Sequence, residues 1–178
     1  MNDKAESLME NYSFHFLADK PEYIEEMANI FYNEWQSTYH AFGLHSLQDV
    51  IQDMKDNHAC NYNQIPLLLI ALDKNSQKLV ATAALEKCDV PTNSPYSNTT
   101  PWLACVYTKV EHRGKGIATF LVKQLLESAK QLNYTHVWLW TEDAANLYTK
   151  IGFHLVEKMK HINLDIMIMR IDFDPSIY

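Results

Sequence analysis

Hydrophobic and polar positions along the chain follow two periods, which separate predicted strands from predicted helices. Apolar runs and two-residue alternation are typical of strands, whereas apolar residues three or four positions apart are typical of amphipathic helices. The predicted strands cover residues 13–18, 65–72, 79–87, 102–108, 136–141, 153–156 and 162–173. The predicted helices cover residues 21–35, 47–57, 117–132 and 142–151. Asp19 is the predicted N-cap of the first helix and Gly152 the predicted C-cap of the last.

The order of these elements, β-α-α-β-β-β-α-β-α-β-β, predicts a single mixed α/β domain. A short polar turn joins the second and third strands, so we expect an antiparallel hairpin there. A helix joins the fourth and fifth strands, which we therefore expect to be parallel with a right-handed crossover. We predict a polar N-terminal tail over residues 1–12 and one domain over residues 13–174.

Charge and hydropathy narrow the classes of partner. The formal net charge of −7 disfavours a surface that binds nucleic acid or an anionic membrane. No apolar run approaches the roughly 20 residues that span a bilayer, and the first residues lack an apolar signal core. We therefore expect a cytoplasmic protein with neither a nucleic-acid nor a membrane partner.

Cysteine and histidine residues give no sign of a metal site. Cys60, Cys88 and Cys105 are scattered, which argues against a disulfide framework and fits a reducing compartment. The eight histidines show no metal-ligand spacing such as H-E-x-x-H. We predict that no metal is bound.

Candidate chemistry begins at the run Arg-Gly-Lys-Gly-Ile-Ala of residues 113–118, which lies between a predicted strand and an amphipathic helix. Glycine allows sharp bends and close backbone approach, and the first N–H groups of a helix are free to bind an anion. Lys109, Arg113 and Lys115 add local positive charge to an acidic protein. The run therefore predicts a cradle for a phosphorylated ligand; a simple turn before a helix is the alternative.

Two motifs in order give the chain a family resemblance. Residues 101–118, followed by Leu-Tyr-Thr-Lys-Ile-Gly-Phe at residues 147–153, resemble the GCN5-related N-acetyltransferases, or GNAT family. The family's pyrophosphate motif, Gln/Arg-x-x-Gly-x-Gly/Ala, is met by residues 113–118, and its tyrosine ahead of a Gly-Phe pair is met by Tyr148. The resemblance implies a mixed sheet, mostly antiparallel with a parallel central pair and flanked by helices, over nearly the whole chain.

The resemblance also implies acetyl-CoA as the acetyl donor and direct attack by a primary amine in a ternary complex. Backbone N–H groups at the start of the helix would hold the pyrophosphate, and the preceding strand would pair with the pantetheine arm. A backbone N–H near Val106 would polarise the acetyl carbonyl. The implied coenzyme-binding residues are Val106, Tyr107, Thr108, Arg113, Gly114, Lys115, Gly116, Ile117, Ala118 and Tyr148.

The catalytic residues follow from the same resemblance. Tyr148 is the predicted general acid, or hydrogen-bond donor, to the departing thiolate. Glu86 or Asp89, at the end of a strand before a long polar loop, is the predicted base; solvated strand-end carboxylates are the alternative. Glu34 and His112 are weaker candidates for the base.

Aromatic and sulfur-containing residues are assigned less directly. Trp35, predicted to end the first helix, and Trp102 are the predicted substrate-binding residues, with core packing as the alternative. Trp138 and Trp140 are predicted to be structural. Cys105 is a candidate nucleophile for an acyl-enzyme, but no motif partner accompanies it.

Several questions stay open at this stage. Thr141 stands where the family commonly has an asparagine, and Asn146 lies too close to Tyr148 to replace it obviously. An inactive acyl-CoA-binding sensor is the alternative function, and a P-loop nucleotide site is disfavoured because no Gly-Lys-Ser/Thr ending is present. The acidic balance fits a cationic acceptor, and either a monomer or a homodimer is possible.

Overall fold

Seven strands form the centre of the protein, in a computed structural model that describes residues 8–161 and 164–173. The strands lie close to their predicted positions, and the fourth and fifth match the prediction at both ends. They are β1 (Tyr12–Phe16), β2 (Leu67–Asp73), β3 (Leu79–Glu86), β4 (Trp102–Thr108), β5 (His136–Thr141), β6 (His154–His161) and β7 (Leu164–Asp172). Residue 162, the predicted start of the last strand, lies outside the described residues.

Within the described residues, α-helices flank the sheet at the four predicted places. They are α1 (Ile24–Ala41), α2 (Leu47–Asp53), α3 (Ile117–Gln131) and α4 (Ala145–Ile151). Two short 3-10 turns lead into α1, and a π-helical turn over Met54–His58 extends α2. Among the described residues, no helix is both long and apolar enough to cross a membrane.

The sheet order is β1-β2-β3-β4-β5-β7-β6, and every neighbouring pair except β4–β5 is antiparallel. This confirms the predicted mixed α/β domain, the antiparallel hairpin and the parallel central pair. The parallel pair is short: Trp102 and Trp138 are its one register pair. β4 and β5 therefore part towards the C-terminal end of β4.

Both faces of the sheet are buried, which β2 shows most clearly. Its alternate residues Leu67, Leu69 and Ala71 pack in the core on the α3 side. The intervening Leu68, Ile70 and Leu72 pack against α1 and α2. Because both faces of this strand are buried, its sequence is a continuous apolar run. Leu8 and Tyr12, within the segment predicted as a polar tail, are also buried on the α3 side.

Three local predictions about the helices need correction. Asp19 does not cap α1; it lies in a 3-10 turn, and Tyr23 occupies the N-cap position without a side-chain hydrogen bond. Trp35 does not end α1 but lies at a kink within it, with φ −129° and ψ 36°. The second helix is α-helical only to Asp53, because the following turn is π-helical.

Candidate active site

The glycine turn before α3 has the geometry of an anion cradle. Gly114 and Gly116 have φ of +75° and +90°, in the left-handed region that favours glycine. Gly116 is the N-cap of α3, so the first N–H groups of this 15-residue helix face the turn without intrahelical partners. Arg113 Nε donates to the Thr108 carbonyl at 2.9 Å, which ties the turn to the end of β4. Lys109 pairs with Glu26 at 2.8 Å, so its charge is partly neutralised.

A bulge in β4 lies where β4 and β5 part. Cys105 has φ of +52°, and the β3–β4 register shifts between Thr82 and Ala84. Thr82 Oγ1 donates to the Cys105 carbonyl at 2.7 Å, which stabilises the bulge. The strand beyond it, Val106 to Thr108, is only partly buried and leads directly towards the cradle.

A cavity of about 450 Å³ opens beside this bulge. It lies between α1, α2 and its π turn on one side and the ends of β3, β4 and β5 on the other. The volume lies in the range of ordinary small-molecule sites. Its lining combines aromatic rings and carboxylates: the rings are Phe31, Trp35, Tyr39, Phe42, Trp140 and Tyr148, and the carboxylates are Asp53, Glu86, Asp89, Glu142 and Asp143.

A histidine links two of these carboxylates. His58 Nε2 lies 2.7 Å from Glu86 Oε1, and His58 Nδ1 lies 3.8 Å from Asp53 Oδ2. Burial lowers the pKa of His58, but the hydrogen bond to Glu86 and the charges of Glu86 and Asp53 outweigh it, so the pKa is raised above 6.5. The folded protein therefore favours the cationic imidazole more than solvent does, and the hydrogen bond from His58 holds Glu86 in place.

Asp89 is the carboxylate most altered by its surroundings. Burial raises its pKa well above the ordinary value, the charge of Glu86 acts in the same direction, and a hydrogen bond from Trp140 opposes them. The Trp140 indole N–H also donates to the Asp89 carbonyl at 2.8 Å. A carboxyl group with a raised pKa is a stronger base than an ordinary aspartate.

Tyr148 approaches the same cavity from α4. It is 7% exposed and packs edge-on against Phe153, with ring centroids 5.9 Å apart. Burial raises the pKa of Tyr148 to about 12, and the charges of Asp89 and Asp143 contribute. Its phenol therefore remains protonated over the whole physiological pH range.

Cys105 and Tyr39 share the inner part of the cavity. Burial raises the pKa of the Cys105 thiol well above its ordinary value, and the nearby carboxylates Glu86 and Asp89 raise it further. Burial raises the pKa of Tyr39 as well. Cys105 is therefore a neutral thiol, which is a poor nucleophile.

The predicted catalytic residues come together, and one of the two predicted substrate-binding residues joins them. Tyr148, Glu86, Asp89 and Trp35 all line the cavity. Trp102 does not: it is fully buried, its indole N–H donates to the Thr99 carbonyl at 2.9 Å, and it packs against Trp138. The prediction for Trp102 is therefore corrected to a core-packing residue.

Other sequence predictions about the site also change. Trp140 lines the cavity in addition to supporting the sheet. Glu34 and His112 lie outside the lining of the cavity. His112 Nδ1 instead forms a hydrogen bond with the Tyr12 hydroxyl at 3.1 Å. Thr141 Oγ1 accepts from the Ala144 N–H at 3.1 Å, so this side chain shapes the turn into α4.

Sequence reasoning missed Asp53, His58 and Tyr39. Asp53 lies within the predicted helix 47–57, His58 directly follows that helix, and Tyr39 lies beyond the predicted end of the first helix. None of the three belongs to a motif. The available signal was weak: Asp53 and His58 occupy the polar face around the end of one predicted helix. Only the fold brings them to Glu86, 28 residues further along.

No group of three or more His, Cys, Asp or Glu side chains within residues 8–161 and 164–173 has the arrangement of a metal site. The carboxylates of the cavity are instead spread over several elements around its wall.

Solved structures from several bacteria are similar to this fold. A GNAT-family acetyltransferase from Staphylococcus aureus Mu50 has 16% identity and a TM-score of 0.66, covering 92% of this chain and 99% of its own. The ribosomal-protein-S5-alanine acetyltransferase from Vibrio fischeri has 18% identity and a TM-score of 0.64, covering 93% and 94%. The Salmonella typhimurium protein yncA, solved with its cofactor acetyl-CoA, has 17% identity and a TM-score of 0.62, covering 93% and 95%.

At such identities the structural likeness shows the fold alone, and a comparison with curated proteins gives no match. The family comparison goes further. The model of the acetyltransferase (GNAT) family matches residues 24–153, which is well over half of the 178 residues and includes the glycine turn and Tyr148. The predicted resemblance is confirmed, and the chain belongs to the GNAT acetyltransferase family.

Proposed function

We propose that the protein transfers an acetyl group from acetyl-CoA to a primary amine of a small molecule or peptide, by direct attack in a ternary complex. The observation that carries this proposal is the meeting of Tyr148, Glu86 and Asp89 around one cavity at the point where β4 and β5 part. The family supports the reaction class, and the cavity supplies a place for it.

The donor side of the site uses mainly backbone groups. The N–H groups of Gly114, Gly116, Ile117 and Ala118 bind the pyrophosphate, and Arg113 and Lys115 add positive charge nearby. The backbone of Val106, Tyr107 and Thr108 pairs with the pantetheine arm. The parting of β4 from β5 supports this, because the open part of β4 lacks a strand partner on that side.

Asp89 accepts the proton that the acceptor ammonium must lose before attack. Its raised pKa makes it a stronger base than an ordinary aspartate, and Glu86 supplies negative charge that holds the ammonium close by. His58 fixes Glu86 through the 2.7 Å hydrogen bond, so the protein and not the solvent sets the orientation of this carboxylate.

The freed amine nitrogen attacks the acetyl carbonyl carbon, and the Val106 N–H stabilises the negative charge that develops on its oxygen. The C–S bond then breaks, and the Tyr148 hydroxyl donates a hydrogen bond or a proton to the departing thiolate. The attacking nitrogen, which is positively charged after attack, loses its second proton to solvent or to the Tyr148 oxygen, and Asp89 returns its own proton to solvent, so the products are the neutral amide and CoA. Because the pKa of Tyr148 is raised, its hydroxyl stays protonated at physiological pH and can act as a hydrogen-bond donor. Cys105 takes no covalent part, since its thiol stays neutral.

An acceptor screen tests the proposal. Purified protein is mixed with acetyl-CoA and a panel of primary amines, and acetylated products are detected by mass shift together with CoA release above the rate of hydrolysis. We expect product with at least one amine and a thermal shift with acetyl-CoA but none with ATP. Binding of acetyl-CoA without product from any amine would favour a sensor that has lost turnover.

A further inference from the structure

The acceptor side of the cavity is built for positive charge. This inference rests on the proposed function and concerns which amines the site accepts. Five carboxylates line the cavity: Asp53 at the end of α2, Glu86 at the end of β3, Asp89 in the loop after it, and Glu142 and Asp143 on the turn before α4. None of the lining residues, all within the described part of the chain, is lysine or arginine.

The single basic side chain in the lining is already paired. His58 lies 2.7 Å from Glu86 and 3.8 Å from Asp53, so its charge balances only part of this carboxylate group. An acceptor that carried its own carboxylate or phosphate would meet several negative charges without a cation to pair with. Such unpaired charge is the kind of contact by which sites reject a ligand.

Aromatic side chains set the shape of the rest of the cavity. Phe31 and Trp35 pack with ring centroids 5.2 Å apart, and Trp35 stands edge-on to Tyr107 at 6.5 Å. Tyr39 and Phe42, which follow the kink of α1, continue this wall. Part of the 450 Å³ must hold the acetyl group, so the remainder suits a compact body and not a long chain.

We infer that the acceptor is a small primary amine, bound as its ammonium, on a compact apolar body that carries no carboxylate or phosphate. The ammonium lies against Glu86 and Asp89, and the apolar body lies against the aromatic wall of α1. The same negative charge that attracts this amine excludes the corresponding α-amino acid.

Three acceptors that share one body test the inference: tyramine, tyrosinamide and tyrosine. They carry hydrogen, a neutral amide and a carboxylate, respectively, at the carbon next to the amine. We expect kcat/KM for tyramine to exceed that for tyrosine by at least about 100-fold, with tyrosinamide much closer to tyramine. Equal kcat/KM values for tyramine and tyrosine overturn the inference. A value for tyrosinamide as low as that for tyrosine also overturns it, because the size of the substituent and not its charge would then determine the selectivity.

A charge-reversal variant locates the effect. Glu142→Lys places a cation at an exposed position of the cavity lining, and we expect it to lower the ratio of kcat/KM for tyramine to kcat/KM for tyrosine about tenfold. Glu25→Lys, at an exposed position of α1 outside the lining, makes the same change in net charge and is the matched control. If both variants change the ratio equally, the selectivity comes from the overall field and the inference about this cavity is wrong.

Failure of the inference and failure of the proposed function give different results. Turnover of tyrosine at the rate of tyramine leaves acetyl transfer standing and removes only the acceptor class. If none of the three is acetylated and the broader screen also gives no product, the proposed function fails. Binding of the three compounds, measured by calorimetry with CoA present, then decides the inference: tighter binding of tyramine than of tyrosine supports it, and equal binding overturns it.

Discussion

The two halves of the proposed site, one for the acetyl donor and one for the acceptor, are made in different ways. The donor side is a backbone structure: six consecutive residues, 113–118, form a turn with two left-handed glycines and the start of α3. The acceptor side is made of side chains from α1, the π turn, β3, β5 and the loops after β3 and β5. A backbone site depends on local conformation and is easily destroyed by one residue, whereas a side-chain site depends on the fold and can be changed in small steps.

The largest effect is expected from Gly116→Val. A β-branched residue is strongly disfavoured at φ +90°, so the substitution would distort the turn whose backbone N–H groups form the anion cradle. We expect the Kd for acetyl-CoA, measured by calorimetry, to rise by at least about 100-fold, corresponding to about 2.7 kcal/mol.

Gly43→Val is the control for backbone strain. Gly43 has a similar φ of +85° with open space around its Cα, but it lies after α1, away from the cradle. It should lower the free energy of unfolding without changing the Kd for acetyl-CoA. Equal losses of acetyl-CoA binding in the two variants would mean that the turn before α3 is only a turn.

Tyr148→Phe tests the point where the two halves meet. Loss of the hydroxyl removes the donor to the thiolate, and we expect kcat to fall by about 100-fold while the Kd for acetyl-CoA stays within about threefold. Because the pKa of Tyr148 is about 12, wild-type kcat should show no decline from its ionisation up to pH 10.

Tyr134→Phe, at a partly buried tyrosine of the core outside the cavity, is the matched control and should leave kcat unchanged. A Tyr148→Phe enzyme that keeps kcat within about twofold would rule out the assigned role.

His58→Gln tests how the acceptor side is held together. The pKa of His58 is raised in the folded protein by Glu86 and Asp53, so its stabilising charge is fully present below pH 6.5 and is lost as pH rises through the raised pKa. We expect wild type to exceed the variant by about 1–3 kcal/mol in free energy of unfolding at pH 5.5, with the difference shrinking towards pH 9.

Urea unfolding across this pH range gives the measurement. A difference that does not change with pH would show that His58 contributes packing and no charge. Acetyl-CoA binding should be nearly the same in wild type and variant, since His58 lies on the acceptor side.

The smallest effect is expected from Ser46→Ala. Ser46 and Asp49 form a capping box at the start of α2, with Ser46 Oγ accepting from the Asp49 N–H at 3.1 Å and Asp49 accepting from the Ser46 N–H at 2.9 Å. Its loss should cost about 1 kcal/mol of unfolding free energy, measured by urea titration. Ser37→Ala, at an exposed position within α1, should cost much less; equal costs would contradict the capping role.

This contrast explains what could be predicted from the sequence. The donor side consists of adjacent residues with specific conformational requirements, so the sequence predicts the positions of the glycine turn, β4 and α3 to within a residue or two. Tyr148 was found because its motif is local. His58 and Asp53 were not, because their function depends on a contact with Glu86 that only the folded chain creates.

Two of the tryptophans show the same limit. Trp102 begins β4 and Trp140 lies near the end of the neighbouring β5, and nothing in their local sequence separates a core residue from a cavity residue. The point at which β4 and β5 separate decides whether each tryptophan lies in the core or in the cavity wall. Trp102 lies within the paired region, whereas Trp140 lies beyond it and lines the cavity.

The parting of β4 and β5 also bears on how long the protein survives in the cell. Within the described residues, β1–β4 and β5–β7 meet in one register pair, Trp102 with Trp138, so few backbone hydrogen bonds join the two parts of the sheet. A ligand that lies between these two parts and binds only the folded chain raises the free energy of unfolding by about 2.7 kcal/mol at a hundred times its Kd. If acetyl-CoA binds there, as proposed, its supply would raise the resistance of this protein to proteolysis, and so its abundance as well as its rate of turnover.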